Sequence, residues 1–357
     1  MESDNESQKP VLPKDLFKNA FTWMFYEISK HRFPSVVSCV YLVIVLVGFW
    51  WNFADKNLPL SIVLAAVGLF GILFGLIPAW FQNVKEHPNT KKLVQQVLES
   101  NPGVDTRKWD EIANILNLFF YRENIWRTPY FFFNGQHVQR VFKYNVLKPY
   151  LGGQFEGVAD ADKIQSAKCY MQSIKVYFEL SLKDSISEFF LNSELPRDTH
   201  RNKFFFHPRY FFMGFMICFF QGQILLLVVQ LFVQRSFWIL PTIINYQYCL
   251  LKCYQYGYRF WYPEMDVMQA IKFLAIITKF SPRKELDKWD QIARYMNQYL
   301  MEGNSSHSRN IFFDGKHCLD CYKACFESLS LGNNSLSYDE LKEIVEITQP
   351  SLNEETD

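Results

Sequence analysis

The sequence predicts a predominantly α-helical, integral membrane protein made of two tandem repeats, each with a transmembrane helical hairpin and a small cytosolic helical module. Two observations predict this fold. A segment that begins at residue 108 returns 180 residues later with its distinctive residues kept, and the apolar residues are gathered into a few long segments with almost no charges. Each repeat contains both features, so the duplication sets the architecture.

Two short motifs carry the duplication. Lys-Trp-Asp-Glu-Ile-Ala at 108–113 returns as Lys-Trp-Asp-Gln-Ile-Ala at 288–293, and Phe-Phe-Asn-Gly at 132–135 returns as Phe-Phe-Asp-Gly at 312–315. Solenoid repeats recur every 20 to 50 residues or so, which makes this a duplication of a whole domain. The repeat-motif residues are Trp109, Asp110, Phe132, Phe133, Gly135, Trp289, Asp290, Phe312, Phe313 and Gly315.

Each repeat also begins with a Leu-Pro-basic-Asp motif, at 12–15 in the first copy and 195–198 in the second. These motifs and the shifts in composition divide the chain. The predicted divisions are a disordered N-terminus (1–10), repeat 1 (11–150), a linker with a helical segment (151–192), repeat 2 (193–334) and a polar C-terminal tail (335–357).

Four apolar segments predict membrane-spanning helices, because each is close to or above the roughly 20 residues that cross a bilayer. They are 36–53, 58–81, 210–233 and 237–256. The fourth contains Lys252, which leaves open whether it crosses fully. The two cytosolic modules lie in the same compartment only if an even number of membrane crossings separates them. This favours a full crossing by the fourth segment.

Charge near these segments predicts their orientation. Basic residues flank the outer ends of both hairpins, as at Lys30 and Lys85, and by the positive-inside tendency each hairpin enters from the cytosol and returns to it. Both termini and the modules at 85–148 and 259–330 are then cytosolic. Eight cysteines without a secreted-style framework fit a reducing compartment.

The Trp-Asp motif begins an amphipathic helix that ends before a turn. Its apolar positions follow the spacing of one helix face, and the Asn-Gly or Asp-Gly dipeptide of the second motif favours a turn. The face consists of residues 109, 112, 113, 116 and 120 in repeat 1, and 289, 292, 293, 296 and 300 in repeat 2.

Small residues recur every four positions in the second and third apolar segments, a spacing that lets helices approach closely in lipid. The possible helix-packing residues are Gly71, Gly75, Gly214 and Gly222. The alternative is that glycine is simply common in membrane helices.

Repeat 2 contains side chains of the types that bind zinc, His317, Cys318, Cys321 and Cys325. Repeat 1 keeps the histidine as His137 but has valine, valine and asparagine in place of the cysteines. The spacing also fits a buried helix face, since free cysteine is a small hydrophobe. We favour the buried face and expect no metal and no cofactor.

A catalytic pair of Asp110 with His137, or of Asp290 with His317, is a further possibility. Such a pair requires a nucleophile, an oxyanion site or a metal beside it, and no such group stands at matching positions. A hydrogen bond that stabilises the turn explains the shared histidines equally well. We therefore expect no enzyme activity, and the net charge of +1 argues against a nucleic-acid partner.

Lysines are frequent in the predicted cytosolic parts. Exposed lysines can accept covalent modification, including ubiquitin, or can simply be solvated surface. The possible ubiquitin acceptors are Lys91, Lys92, Lys143, Lys148, Lys163 and Lys168.

The chain resembles the DUP/Cos family of subtelomeric membrane proteins of budding yeast, in the duplicated form of its Cos-like branch. The resemblance rests on the motif at 11–17 with Phe21-Thr22-Trp23, the double hairpin, Trp109-Asp110 with Ile112-Ala113, and the aromatic turn at 130–135. Repeat 2 departs from it at 304–308, where Asn-Ser-Ser-His-Ser replaces the Asn-Ile-Trp-Arg-Thr of 124–128.

The resemblance implies a function in membrane traffic. Cos-like proteins are regarded as ubiquitinated proteins that promote, in trans, delivery of other membrane proteins to multivesicular bodies and the vacuole. The implied partners are the membrane, integral membrane proteins as cargo or relatives, and the ubiquitin machinery, with endosome and vacuole as the location. The alternative is a non-catalytic structural or trafficking factor of the ER or plasma membrane.

Overall fold

The structure is a computed structural model of the chain. The residues that it describes are 11–30, 90–155, 160–184, 193–200, 262–263, 265–303, 311–327 and 338–352, with the single residues 43, 157, 206, 221, 247 and 329. The chain divides into two compact units, Met1–Gln172 and Ser173–Asp357. Each unit contains one copy of the Trp-Asp motif and one copy of the aromatic turn.

The predicted fold class needs a correction. In the part of the chain that the structure describes, no helix has both the length and the apolar character needed to cross a bilayer. The longest, Ala161–Lys183, carries charged side chains along its length, and the apolar helix Val267–Phe280 has 14 residues, against roughly 20 for a span. The predominantly α-helical prediction is confirmed, whereas the integral-membrane class is contradicted by these helices.

The four segments predicted to span the membrane lie outside the described residues, apart from the isolated positions 43, 221 and 247. The predicted hairpins, and the packing glycines within them, are therefore not among the elements described below.

The first unit contains the helices of repeat 1 and the beginning of the linker helix. They are α1 (Pro13–Leu16), α2 (Ala20–Lys30), α3 (Thr90–Ser100), α4 (Thr106–Arg122), α5 (Gly135–Phe142), a π-helical turn (Lys143–Leu147), α6 (Lys148–Leu151) and α7 (Ala161–Lys183). The boundary between the two units falls within α7.

Among the residues that the structure describes, the second unit repeats the order of α1, α3, α4, α5 and the π-helical turn, followed by a C-terminal helix. Its elements are α8 (Pro196–Thr199), α9 (Val267–Phe280), α10 (Leu286–Gly303), α11 (Gly315–Tyr322), a π-helical turn (Lys323–Glu327), a 3₁₀ turn (Asp339–Leu341), α12 (Lys342–Thr348) and a second 3₁₀ turn (Gln349–Ser351).

Helices α4 and α10 supply the core of each unit, and their predicted apolar faces are confirmed. The Asp105 side chain accepts the Arg107 N–H at 2.9 Å and so caps the first turn of α4. Every residue of both predicted faces is buried. The faces are Trp109, Ile112, Ala113, Leu116 and Phe120 in α4, and Trp289, Ile292, Ala293, Met296 and Leu300 in α10.

The turns that lead into α4 and α10 are a further repeated feature, one that the sequence analysis did not detect. Asn101 and Gly103 have φ of 40° and 53°, and Ser281 and Arg283 have φ of 42° and 46°. In each copy a proline separates the two residues of positive φ. The second copy thus keeps the left-handed backbone after replacing glycine with arginine, although that conformation is costly for a residue with a Cβ.

Helices α3 and α9 occupy equivalent positions but differ in how much of their surface is covered. The exposed or half-exposed residues Lys91, Lys92 and Gln95 of α3 correspond to buried residues in α9. The reason is α12, which packs on α9 and is joined to it by a hydrogen bond from the Thr278 hydroxyl to the Thr348 hydroxyl at 3.1 Å. Part of the predicted polar tail is therefore folded.

The burial within α12 predicts a stability difference between two neighbouring isoleucines. Ile344 is 2% exposed and Ile347 is 56% exposed. We expect Ile344→Ala to reduce the free energy of unfolding of the second unit by about 2–5 kcal/mol, because it removes buried methyl groups and leaves a cavity. The matched change Ile347→Ala should stay within about 0.5 kcal/mol of the unchanged protein. Urea denaturation measures both, and equal losses would contradict the described packing.

Candidate functional site

The candidate functional site is the junction between the Trp-Asp helix and the aromatic turn, here called the closure site. It is formed in each copy by the repeat-motif residues and the Leu-Pro-basic-Asp motif. All the repeat-motif residues predicted from the sequence are brought together there.

An aspartate and a glycine form the centre of each closure site. The Asp110 Oδ1 accepts the backbone N–H of Gly135 at 2.7 Å, and the Asp290 Oδ1 accepts that of Gly315 at 2.8 Å. Both glycines are the first residues of their helices, α5 and α11. The N–H groups of a first helical turn have no partner within the helix, so the carboxylate satisfies one and also lies at the positive end of the helix dipole.

The glycines are required by the close approach of two backbones. A Cβ at position 135 would lie 2.4 Å from the backbone nitrogen of Asp110 and 2.5 Å from the carbonyl carbon of Trp109. A Cβ at position 315 would lie 2.5 Å from the backbone nitrogen of Asp290. The first turn of each Trp-Asp helix, α4 or α10, is thus in direct contact with the aromatic turn that follows that helix in sequence.

The Leu-Pro-basic-Asp motif supplies a counter-charge to each aspartate. Lys14 Nζ lies 2.6 Å from Asp110 Oδ2 in the first unit. In the second unit Arg197 contacts both oxygens of Asp290, with Nη1 3.0 Å from Oδ1 and Nη2 2.7 Å from Oδ2. Arginine forms such two-point contacts because its guanidinium is a planar fork, which makes the second ion pair the more specific one.

The same motif also docks through its backbone. The Lys14 N–H donates to the Phe133 carbonyl oxygen at 3.2 Å, and the Arg197 N–H donates to the Phe313 carbonyl oxygen at 3.3 Å. The motif is therefore part of the closure site, although about 120 residues of sequence separate it from the aromatic turn in each copy.

A buried asparagine fixes the first phenylalanine of the aromatic turn. In the first unit Asn117 donates to the Phe132 carbonyl oxygen at 2.9 Å and accepts the Phe132 N–H at 2.6 Å. Asn297 makes the same two bonds to Phe312, at 2.8 and 2.6 Å. An amide can donate and accept at once, which explains why asparagine occupies this position in both copies.

The two shared histidines stabilise the turn. The His137 Nδ1 accepts the Phe133 N–H at 3.4 Å, and the His317 Nδ1 accepts the Phe313 N–H at 3.1 Å. The Asn134 side chain caps α5 by accepting the His137 N–H at 3.0 Å, and Asp314 caps α11 in the same way. Of the two explanations for the shared histidines, the geometry favours the turn-stabilising hydrogen bond.

Aromatic side chains complete the site. Trp109 is fully buried, and its indole N–H donates to the Gly103 carbonyl oxygen at 2.9 Å. Trp289 donates to the Arg283 carbonyl oxygen at 3.0 Å. The tryptophans therefore join each closure site to the left-handed turn that precedes its motif helix. The N–H is satisfied at the same time, as burial of an indole requires.

The first copy contains an additional buried carboxylate that the sequence analysis missed. Glu27 of α2 is fully buried, and its oxygens accept the Trp126 indole N–H at 2.7 Å and the Thr128 hydroxyl at 2.7 and 2.8 Å. Trp126 and Thr128 belong to the segment that repeat 2 replaces with serines. This contact therefore distinguishes the two copies, and the only sequence signal for it was a lone acid within an apolar helix.

Other candidate residues have different outcomes. The possible helix-packing glycines Gly71, Gly75, Gly214 and Gly222 lie outside the described residues. Cys318 and Cys321 are buried on one face of α11, as the spacing indicates, whereas Cys325, the third cysteine of the predicted buried face, is only half-buried in the π-helical turn. In the part of the chain that the structure describes, no group of three or more His, Cys, Asp or Glu side chains could hold a metal ion.

Comparison with known proteins places these observations in a family. The model of the DUP family matches residues 52–152 and 206–333, and each match contains one aromatic turn and one Trp-Asp motif. Among curated proteins, the chain is 27% identical to Protein COS2, Protein COS3 and Protein COS1 of Saccharomyces cerevisiae, with 88% of this chain and 83% of each relative covered. No solved structure matches.

The close approach at the glycine yields a prediction. Gly135→Ala should reduce the free energy of unfolding of the first unit by about 3 kcal/mol, the upper part of the range for overpacking, because the two nearest atoms that the new Cβ would meet are backbone atoms. The gain in helix propensity, about 1 kcal/mol, opposes this only in part.

Gly152→Ala is the matched control, since a Cβ there meets its nearest atom at 3.4 Å, an ordinary contact. We expect this variant to lose no stability in thermal or urea unfolding. Equal stability of the two variants would show that the backbones do not approach as described.

Proposed function

The chain belongs to the DUP family, and on that premise we propose that it is a non-catalytic adaptor in ubiquitin-dependent sorting. In this proposal it promotes, in trans, the delivery of membrane proteins to multivesicular bodies and the vacuole. Its partners are those cargo proteins and the ubiquitin machinery, and it acts at endosomal and vacuolar membranes with both termini in the cytosol.

We propose a non-catalytic protein because the polar side chains that the two copies share are occupied by hydrogen bonds within the fold. A hydrolytic or transfer site needs a nucleophile and a base within reach of each other and of a reacting atom. In both closure sites the aspartate oxygens accept a backbone N–H and a basic side chain, while the histidine Nδ1 accepts a different backbone N–H. These contacts hold the turn in place, which favours a structural module that presents surface to partners.

The lysines differ in their availability for modification. Lys91, Lys148 and Lys168 are exposed. Lys163 is ion-paired with Asp160 at 2.8 Å and lies over the Phe155 ring at 5.1 Å. The two remaining candidates, Lys92 and Lys143, are half-buried.

Other lysines contribute to the fold. Lys14 forms the ion pair of the first closure site. Lys272 of α9 is 4% exposed and pairs with Asp184 Oδ2 at 2.5 Å. Burial lowers the pKa of Lys272, but the hydrogen bond to Asp184 and the neighbouring Tyr295 outweigh it and raise the pKa overall, so the amine stays charged. Ubiquitin transfer requires an accessible neutral amine, so we exclude Lys272 from the acceptors.

This difference in exposure predicts which of the candidate lysines accept ubiquitin. The triple change of Lys91, Lys148 and Lys168 to arginine should reduce ubiquitin conjugation, because arginine keeps the charge and cannot form the isopeptide bond. The variant, expressed in Saccharomyces cerevisiae, should also lose its own vacuolar delivery and its effect on a co-expressed membrane cargo. Conjugates on immunoblots and cargo fluorescence in the vacuole measure these effects.

The matched control is the triple change of Lys92, Lys143 and Lys163 to arginine, which alters as many candidate lysines at half-buried positions. We expect it to be conjugated and delivered like the unchanged protein. Normal vacuolar delivery and normal cargo delivery in a variant without any lysine would refute the proposal. That result would favour the alternative, a structural or trafficking factor of the ER or plasma membrane.

A further inference from the structure

The first closure site contains a dipeptide whose side chain can react with the backbone. Asn134-Gly135 is the single Asn-Gly pair of the sequence, and the corresponding pair of the second copy is Asp314-Gly315. An asparagine before glycine deamidates faster than other asparagines, because glycine has no Cβ to hinder attack of its backbone nitrogen on the side-chain carbonyl carbon. The first unit therefore has a reactive amide at a position where the second unit has a carboxylate.

Both groups that would react are held by hydrogen bonds in the closed site. The Gly135 N–H donates to Asp110 Oδ1 at 2.7 Å, and the Asn134 Oδ1 accepts the His137 N–H at 3.0 Å. Attack requires the Gly135 nitrogen to lose its proton, and the negative charge of Asp110 beside it disfavours the anion that forms. The bond to His137 keeps the Asn134 side chain in its capping position.

The backbone at Asn134 is also unsuited to ring closure. Its φ of −157° and ψ of 177° are extended. To form a five-membered ring, the Gly135 nitrogen must turn toward the Asn134 side chain by rotation about the Cα–C bond, which breaks its hydrogen bond to Asp110. The packing leaves no room for this rotation, since a Cβ at position 135 would already lie 2.4 Å from the backbone nitrogen of Asp110. Cyclisation therefore requires the closure site to open.

The second copy shows which product the site accepts. Asp314 occupies the position of Asn134 and accepts the His317 N–H at 2.7 Å, while the Gly315 N–H donates to Asp290 at 2.8 Å. An aspartate formed from Asn134 can therefore cap α5 in the same way. An isoaspartate instead lengthens the main chain by one methylene where two backbones are in contact, so the site cannot close around it.

We propose that Asn134 is a deamidation site controlled by the first closure site. The closed site suppresses the reaction, and local opening of the unit allows it. Because the isoaspartate product prevents reclosure, the reaction converts transient opening into a permanent change of the first unit. The inference does not depend on the sorting proposal.

The reaction requires only water as a co-reactant. The Gly135 nitrogen loses its proton to hydroxide and attacks the Asn134 Cγ, a C–N bond forms, the bond from Cγ to the side-chain nitrogen breaks, and ammonia leaves. Water then opens the resulting succinimide. Cleavage between the nitrogen and Cγ restores the original main chain and gives aspartate, whereas cleavage between the nitrogen and the main-chain carbonyl carbon gives isoaspartate. Nothing is oxidised or reduced.

The test compares deamidation of Asn134 in the native full-length protein with that in the same protein unfolded in guanidinium chloride, by mass spectrometry of its peptides. We expect the native rate to be at least roughly tenfold lower, which corresponds to an opening free energy of about 1.4 kcal/mol. In the native protein, Asp110→Ala should speed the reaction because it removes the acceptor of the Gly135 N–H. The matched control Glu111→Ala removes an exposed acid of the same helix and should not.

The two products supply a second measurement. Asn134→Asp should unfold at the same denaturant concentration as the unchanged protein, since the second copy contains aspartate at this position. Chains with isoaspartate at 134, identified with an isoaspartyl methyltransferase, should be cut faster than unmodified chains by a protease within the first unit.

Two results would overturn the proposal. One is an equal rate of deamidation in the native and the unfolded protein, and the other is equal protease resistance of the isoaspartate and unmodified chains. Both comparisons use the unchanged sequence, so a folding defect in the Asp110→Ala variant does not affect the conclusion.

Discussion

The interaction on which each unit depends is the hydrogen bond from one glycine N–H to an aspartate on the neighbouring helix. It joins the first turn of the Trp-Asp helix to the first turn of the helix after the aromatic turn, at a distance that leaves no room for a Cβ. The other contacts follow from this approach. Once the backbones are that close, the asparagine can pair with the phenylalanine backbone, and the aspartate's second oxygen can face the basic residue. A buried hydrogen bond contributes only about 0.5–1.5 kcal/mol, whereas leaving its partner unsatisfied costs about 1–3 kcal/mol, so the contacts are interdependent.

The two copies show which parts of this arrangement are essential and which can vary. The basic residue changes from lysine to arginine, the helix cap changes from asparagine to aspartate, and the aromatic residue that contacts the second phenylalanine of the turn changes from Trp23 to Phe206. Each replacement preserves the chemical role of the original. The surroundings have diverged further, because α9 is covered by α12 while α3 keeps a polar, exposed side. The closure site therefore constrains each unit locally and leaves the outer surfaces free to change.

The sequence predicted the repeat, the apolar faces of α4 and α10, and the turn at Gly135 and Gly315, because these follow from periodicity and from residues with a strong local preference. It did not predict that Lys14 and Arg197 pair with the motif aspartates, since that contact joins residues far apart in the chain. The left-handed turn before α10 was missed because Arg283 occupies a conformation that usually indicates glycine. The Glu27 contact was missed because its partners lie about 100 residues away, and a lone acid within an apolar helix does not by itself identify them. The integral-membrane class, derived from apolar length alone, finds no support among the described helices.

Native-state hydrogen exchange at the amides of Phe132, Gly135, Phe312 and Gly315 tests most directly whether these contacts act together. Amides that open only when a whole unit unfolds share the protection of the most stable core, and amides held by local contacts exchange faster. We expect all four to exchange as slowly as the buried middle of α4 or α10 in the same unit. Exchange of the two glycine amides at the rate of the exposed C-terminal turn of α7 would show that the fold does not depend on the aspartate–glycine contact.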